Sequence, residues 1–157
     1  MPATTAVGHP VTSYVLITNP GSQLLTVRSK HSDLWRLPGG IVEPYESPLD
    51  AVSREVREEL ALTINVGEAD LLSVEWILAR TPGRRARLAF LFAGPTLTSA
   101  DVAQISLQRA ELDAWSWLPS SEFPTLLHPV VARRVSAALH SSGRSSYRER
   151  RDEGIRL

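Results

Sequence analysis

A single α/β domain is the fold class this sequence predicts, and three observations predict it. Runs rich in β-branched and aromatic residues, bounded by Pro, Gly and Asn, occur early and again late in the chain. Between them one segment switches to apolar residues at helical spacing. A length of 157 residues, 43% of them hydrophobic, is enough for one core and too short for two.

Residues 1–10, with Pro2, Gly8 and Pro10 among small residues and no periodicity, are expected to form a flexible lead-in. The domain is then expected over 11–141. "VTSYVLIT" and "QLLTVR" flank "NPGS", whose Pro and Gly suit a tight reversal, and predict a hairpin. "LWRLPGG" reads as a loop in which Pro38, Gly39 and Gly40 let the backbone bend and approach other groups closely. A helix is predicted from Ser47 as N-cap, with Pro48 in the first turn, Asp50 completing a capping box, and Leu49, Val52, Val56 and Leu60 on its apolar side. "LLSVEWILA" and "RLAFLFAG", joined by "RTPGRRA", predict a second hairpin, and "AELDAWSWLP" a short strand at 115–118. "HPVVARRVSAALHSS" predicts a closing helix with Pro129 at its start. Residues 142–157, charged and poor in apolar side chains, are expected to be a mobile tail.

Composition narrows the chemistry. With no cysteine there is neither a disulfide framework nor a thiolate ligand or nucleophile, which fits a reducing cytoplasm. No segment has the length and apolarity of a signal or membrane span. Seventeen acids balance seventeen bases, so no bulk nucleic-acid binding is expected. Six of those acids, however, fall between positions 43 and 59, while sixteen of the bases are scattered arginines. The four histidines share no ligand spacing.

At about 100° per residue, Leu49, Val52, Val56 and Leu60 occupy roughly 80° of arc on the predicted helix, and Glu55, Glu58 and Glu59 another roughly 100°. Glu59 lies near the apolar border and is expected to be partly shielded from water. A solvated acidic face beside Arg54 and Arg57 is one reading of this helix. The other is a set of hard oxygen ligands for Mg²⁺ or Mn²⁺, since a divalent cation removes the repulsion among three neighbouring carboxylates. With the "PGG" loop directly before the helix, the second reading points to phosphate chemistry.

The segment "GGIVEPYESPLDAVSREVREELAL" resembles the Nudix box of MutT-like hydrolases. Gly40, Glu46, Arg54, Glu55, Val56, Glu58, Glu59 and Leu62 match that box in type and spacing, and Ala61 stands where Gly is usual. The resemblance implies a Nudix-type α/β/α sandwich, a mixed β-sheet between helices. It also implies Mg²⁺-dependent (or Mn²⁺-dependent) hydrolysis of the pyrophosphate bond in a nucleoside diphosphate linked to another moiety, nucleoside triphosphates being the simplest. Glu58 and Glu59 are then the first metal ligands. Glu55 is a third ligand or a base acting through water, Glu46 assists the metal site or pins the loop, and Arg54 orients a glutamate. Gly40 contributes backbone shape or a ligating carbonyl, and Gly39 shape or a substrate contact.

Outside the box, Glu111 is the acid chosen from Asp101, Glu111 and Asp113 as a further ligand, against simple exposure. Arg36 and Arg87 are the expected substrate-binding cations, although a turn carrying Arg80, Arg84, Arg85 and Arg87 also reads as merely soluble. Trp35, Trp76, Trp115 and Trp117 are either core or base-stacking residues. Alternatives to the hydrolase are a non-catalytic nucleotide-binding regulatory module and, within the same chemistry, hydrolysis of ADP-sugars or RNA ends; a basic groove would favour RNA ends. The expected assembly is a monomer or homodimer with a nucleotide-like small-molecule substrate and no membrane.

Overall fold

Side-chain alternation along β1 (Val11–Thr18) sets the two faces of the sheet in the computed structural model, which describes residues 8–151. Val15 and Ile17 are fully buried on one face, and Tyr14 and Leu16 pack on the other. Around β1 assemble β2 (Leu24–Ser29), β3 (Trp35–Arg36), β4 (Gly39–Ile41), β5 (Leu71–Ile77), β6 (Arg87–Thr96), β7 (Leu112–Leu118) and β8 (Ser146–Arg150). The order is β3-β2-β1-β6-β5-β8, with β4 also on β1 and β7 also on β2. Pairings β1–β6 and β5–β8 are parallel and the others antiparallel, so the sheet is mixed.

Each face is covered by a helix. The first, α1 (Pro48–Leu60), lays Val52, Val56 and Leu60 onto Val15, Ile17, Leu25, Val27 and Phe92. After α2 (Ser99–Val102) and α3 (Phe123–Leu126), α4 (Pro129–Leu139) sets Val131 and Val135 against Leu37, Leu91 and Leu118 on the opposite face. Burial of these side chains contributes about 1.5–3 kcal/mol each, and the result is the predicted α/β/α sandwich.

The first hairpin differs from expectation in an instructive way. Asn19 closes its turn, its side-chain oxygen accepting from Gln23 N at 2.9 Å, but β1 and β2 pair only at Thr18↔Leu24. The edge of β1 is taken instead by β4, through Thr12↔Ile41 and Tyr14↔Gly39. That close passage needs glycine: at φ +138° a Cβ on Gly39 would fall 2.8 Å from Tyr14 Cα. The Pro-Gly-Gly loop is thus largely a strand, bonded to β1 shortly before α1 begins.

Two expectations of mobility are corrected. Gly8–Pro10 is tied down: Arg85 Nη1 donates to Gly8 O at 2.7 Å, Leu88 N donates to Pro10 O at 3.0 Å, and the His9 ring meets Trp76 edge-on at 5.0 Å. Residues 1–7 of the lead-in lie outside the described residues. The tail contains β8, paired from Ser73↔Ser146 to Ile77↔Arg150, while 152–157 also lie outside the described residues. A backbone ladder along β5 needs no apolar side chains, which is why composition alone reads this strand as tail. Removing 146–157 is therefore expected to lower the melting temperature by at least about 5 °C, measured by thermal denaturation; an unchanged value would restore the mobile tail.

Candidate active site

The helix that carries the acidic residues begins and ends on identifiable caps. Ser47 Oγ accepts from Asp50 N at 3.1 Å and the Asp50 carboxylate accepts from Ser47 N at 2.9 Å, a closed capping box. Ser13, fully buried on β1, ties the first turn to the sheet by donating to Pro48 O at 2.6 Å. At the other end Ala61 holds φ +57°, ψ +24°, the left-handed cap that glycine normally fills. A Cβ there costs on the order of 1 kcal/mol. Ala61→Gly is accordingly expected to raise the melting temperature by about 2–4 °C, and a decrease would show that the cap is relaxed in solution.

Two arginines organise the glutamates. Arg54 is the hub: it donates to both oxygens of Glu46 (3.0 and 2.8 Å), to Glu55 Oε1 (3.2 Å), to Glu58 Oε2 (3.1 Å) and to Ile41 O (3.1 Å). Glu46 also accepts from Glu43 N at 2.8 Å, which ties the loop before α1 to Arg54. The Arg54 guanidinium, followed by that amide, holds the Glu46 carboxyl below the usual carboxylate range. Arg36 is the second organiser. Its Nη2 donates to Glu59 Oε1 at 2.6 Å while Nη1 bonds Leu37 O and Gly39 O, and Gly39 N donates to Glu59 Oε2 at 3.1 Å.

Glu59 is only 6% exposed, as its place at the apolar border predicts. Burial pushes its carboxyl up against the opposing pull of Arg36, and burial likewise raises Glu55. Glu55 lies against Gly40, where an added Cβ would come within 2.7 Å of its Cδ. Glu58 is the open member of the row, its side chain 53% exposed.

Among the described residues no three carboxylates or imidazoles converge closely enough to enclose an ion. Arg54 stands between Glu55 and Glu58, and Arg36 holds Glu59. The donor set nevertheless fits a hard divalent cation: three acidic oxygen groups on one helix face, two of them desolvated, already gathered around positive charge.

Gly39, Glu111 and the tryptophans have defined surroundings. Gly39 is buried, its N–H donating to Glu59 and its carbonyl accepting from Arg36. Glu111 is exposed just before β7; its carbonyl accepts from Lys30 N, and among the described residues its carboxylate makes no hydrogen bond or ion pair with the α1 group. Its two rivals are occupied, Asp101 in the cap of α2 and Asp113 with Arg28. No tryptophan lines the cavity beside the site among the described residues. Trp35, Trp115 and Trp117 pack against the cores, and Trp76 meets His9.

That cavity, of about 220 Å³, brings Arg36 and Arg87 together with Tyr14, His128 and Arg134. Arg36 thus links it to Glu59. Arg134 on α4 is 4% exposed and donates to the buried Glu75 of β5 at 3.1 Å, its guanidinium 5.3 Å from the Tyr14 ring. Tyr14, Glu75, His128 and Arg134 were not singled out from sequence. The signal available was Arg134 falling on the buried side of α4 with Val131 and Val135.

A family model described as the NUDIX domain matches residues 8–139. The RNA pyrophosphohydrolase of Pseudomonas putida is 34% identical over 73 residues, 46% of this chain and 46% of that protein, so the match spans about half the length of the curated relative. The MutT protein from Methanosarcina mazei Go1 has a TM-score of 0.65 at 23% identity, over 87% of this chain and 98% of that one. A UDP-X diphosphatase has a TM-score of 0.73 at 20% identity, over 94% of this chain and 70% of that one. At these identities the two structures show a shared fold.

Proposed function

From the premise that the chain belongs to the NUDIX domain family, we propose that it hydrolyses the diphosphate bond of a nucleoside diphosphate linked to another group, with Mg²⁺ or Mn²⁺ as cofactor. Nucleoside triphosphates are the simplest such compounds. The observation that carries this reading is the row Glu55, Glu58 and Glu59 on α1, joined through Arg36 to a cavity lined by Arg36 and Arg87.

Glu58 and Glu59 would hold the cation together with the Gly40 carbonyl, and it would supply charge neutralisation at the diphosphate oxygens and acidification of the attacking water. In the proposed step the water oxygen bonds to one phosphorus, the bond from that phosphorus to the bridging oxygen breaks, and the bridging oxygen leaves with the other phosphate. Glu55 takes the proton that the water loses. Its burial raises its proton affinity, which suits an acceptor. Arg54 and Glu46 position this group by fixing the loop against α1, while Arg36 and Arg87 offer cations to phosphate oxygens.

The test is phosphate or pyrophosphate release from a panel of nucleoside triphosphates, dinucleotides and nucleotide sugars, with either cation and with chelator. Cation-dependent release is expected from at least one class. Ligand-dependent thermal shifts without release from any of them would replace the hydrolase by a non-catalytic nucleotide-binding module.

A further inference from the structure

The cavity that Arg36 and Arg87 line adjoins a second one, of about 290 Å³, and the two share Ile77, Arg87, His128 and Val130. Five arginines line the second cavity (Arg80, Arg84, Arg85, Arg87 and Arg150), and among the described residues no aspartate or glutamate does. Arg80, Arg84, Arg85 and Arg87 are exposed and Arg150 is half-buried, and all five rim one hollow, where their fields add.

The placement is built rather than incidental. Arg85 is fixed at the rim by its bond to Gly8 O. Arg87 opens β6 and faces both cavities. His128 sits on the shared wall as the cap of α4, its Nδ1 accepting from Val130 N at 3.3 Å. Burial, and then the positive charges of Arg150, Arg134 and Arg87, hold its imidazole below the usual range. Cations from β6, β8 and α4 thus act on one point between the cavities.

We propose that the arginine-lined cavity is a second phosphate subsite, which takes a phosphate one nucleoside further along the substrate than the reacting diphosphate. The inference rests on reading the adjoining cavity as the substrate site. Two sources share the required chemistry: the 3′-phosphodiester of a short 5′-phosphorylated oligonucleotide, or a phosphate ester on the ribose of a single nucleotide.

The experiment measures binding in chelator, where turnover cannot interfere. A nucleoside 5′-monophosphate, the 3′,5′-bisphosphate and a 5′-phosphorylated dinucleotide are titrated into wild type and into Arg84→Gln/Arg85→Gln. In wild type at low salt, at least one of the two longer ligands is expected to bind about tenfold tighter than the monophosphate. The gap should shrink with salt and close in the double variant, with monophosphate binding unchanged. A gain for the bisphosphate identifies a ribose phosphate as sufficient; a gain confined to the dinucleotide identifies an oligonucleotide. Equal affinity for all three ligands in wild type, or a gap that survives in the double variant, overturns the proposal. Turnover on the substrate panel is scored separately, so that turnover without a gap sinks the subsite alone, and a gap without turnover sinks the hydrolase alone.

Discussion

Glu58→Gln is expected to lower cation-stimulated turnover by about 10²–10³-fold while leaving the melting temperature within about 1 °C of wild type. The separation of the two effects follows from position. Glu58 is half exposed and its ion pair is with Arg54 at i,i+4, a type of surface pair that contributes well under about 1 kcal/mol. Gln preserves its volume and hydrogen-bonding capacity but removes the charge that a hard cation requires. Glu46→Gln is the internal contrast, because Glu46 is tucked under Arg54 and accepts three hydrogen bonds there. That change should cost about 1–2 kcal/mol of stability and reduce turnover far less. Equal losses of turnover in the two variants would mean that the acidic row acts through loop geometry. Unchanged turnover in Glu58→Gln would remove Glu58 from the site.

The part of this site that lies on one helix was legible in the sequence because helical spacing converts directly into a shared face. The shared face of Glu55, Glu58 and Glu59 and the shielding of Glu59 follow from the 3.6-residue period, and the cap at Ser47 from its capping-box spacing to Asp50. The cavity was not legible, because Tyr14 on β1, Arg87 on β6, and His128 and Arg134 at α4 come from three separated segments that only the fold brings together. Arg36 and Arg87 were expected as substrate-binding cations, and they line that cavity; the bond from Arg36 to Glu59, across 23 positions, has no local signature. Nor has β8: a strand bonded along one edge, with Tyr147, Arg148 and Glu149 exposed, lacks the apolar alternation by which strands are recognised. Ala61 shows the converse. Its departure from glycine was visible in the sequence, but its positive φ, which gives the departure an energetic cost, was not.

Replacing Arg134 by Met, or Glu75 by Ala, is expected to destabilise the protein by about 3–5 kcal/mol, lowering the melting temperature by about 10 °C or more. Both side chains are almost completely buried, 4% and 7% exposed, and they meet at 3.1 Å between α4 and β5. Removing either leaves the other buried with its counter-charge gone, and that desolvation cost dominates over the modest net worth of the pair itself. The pair sits in the layer that α4 packs onto the sheet, so its loss should loosen α4 as a unit, including the Tyr14 contact of Arg134. The double variant Glu75→Leu/Arg134→Met discriminates the cause. If uncompensated charge is the source, it should regain most of the stability lost by either single variant, because apolar groups of similar volume then fill the site. Single variants costing under about 1 kcal/mol in chemical denaturation would mean that water reaches the pair. A double variant as unstable as the singles would mean that packing, and not charge, fixes α4 over the cavity.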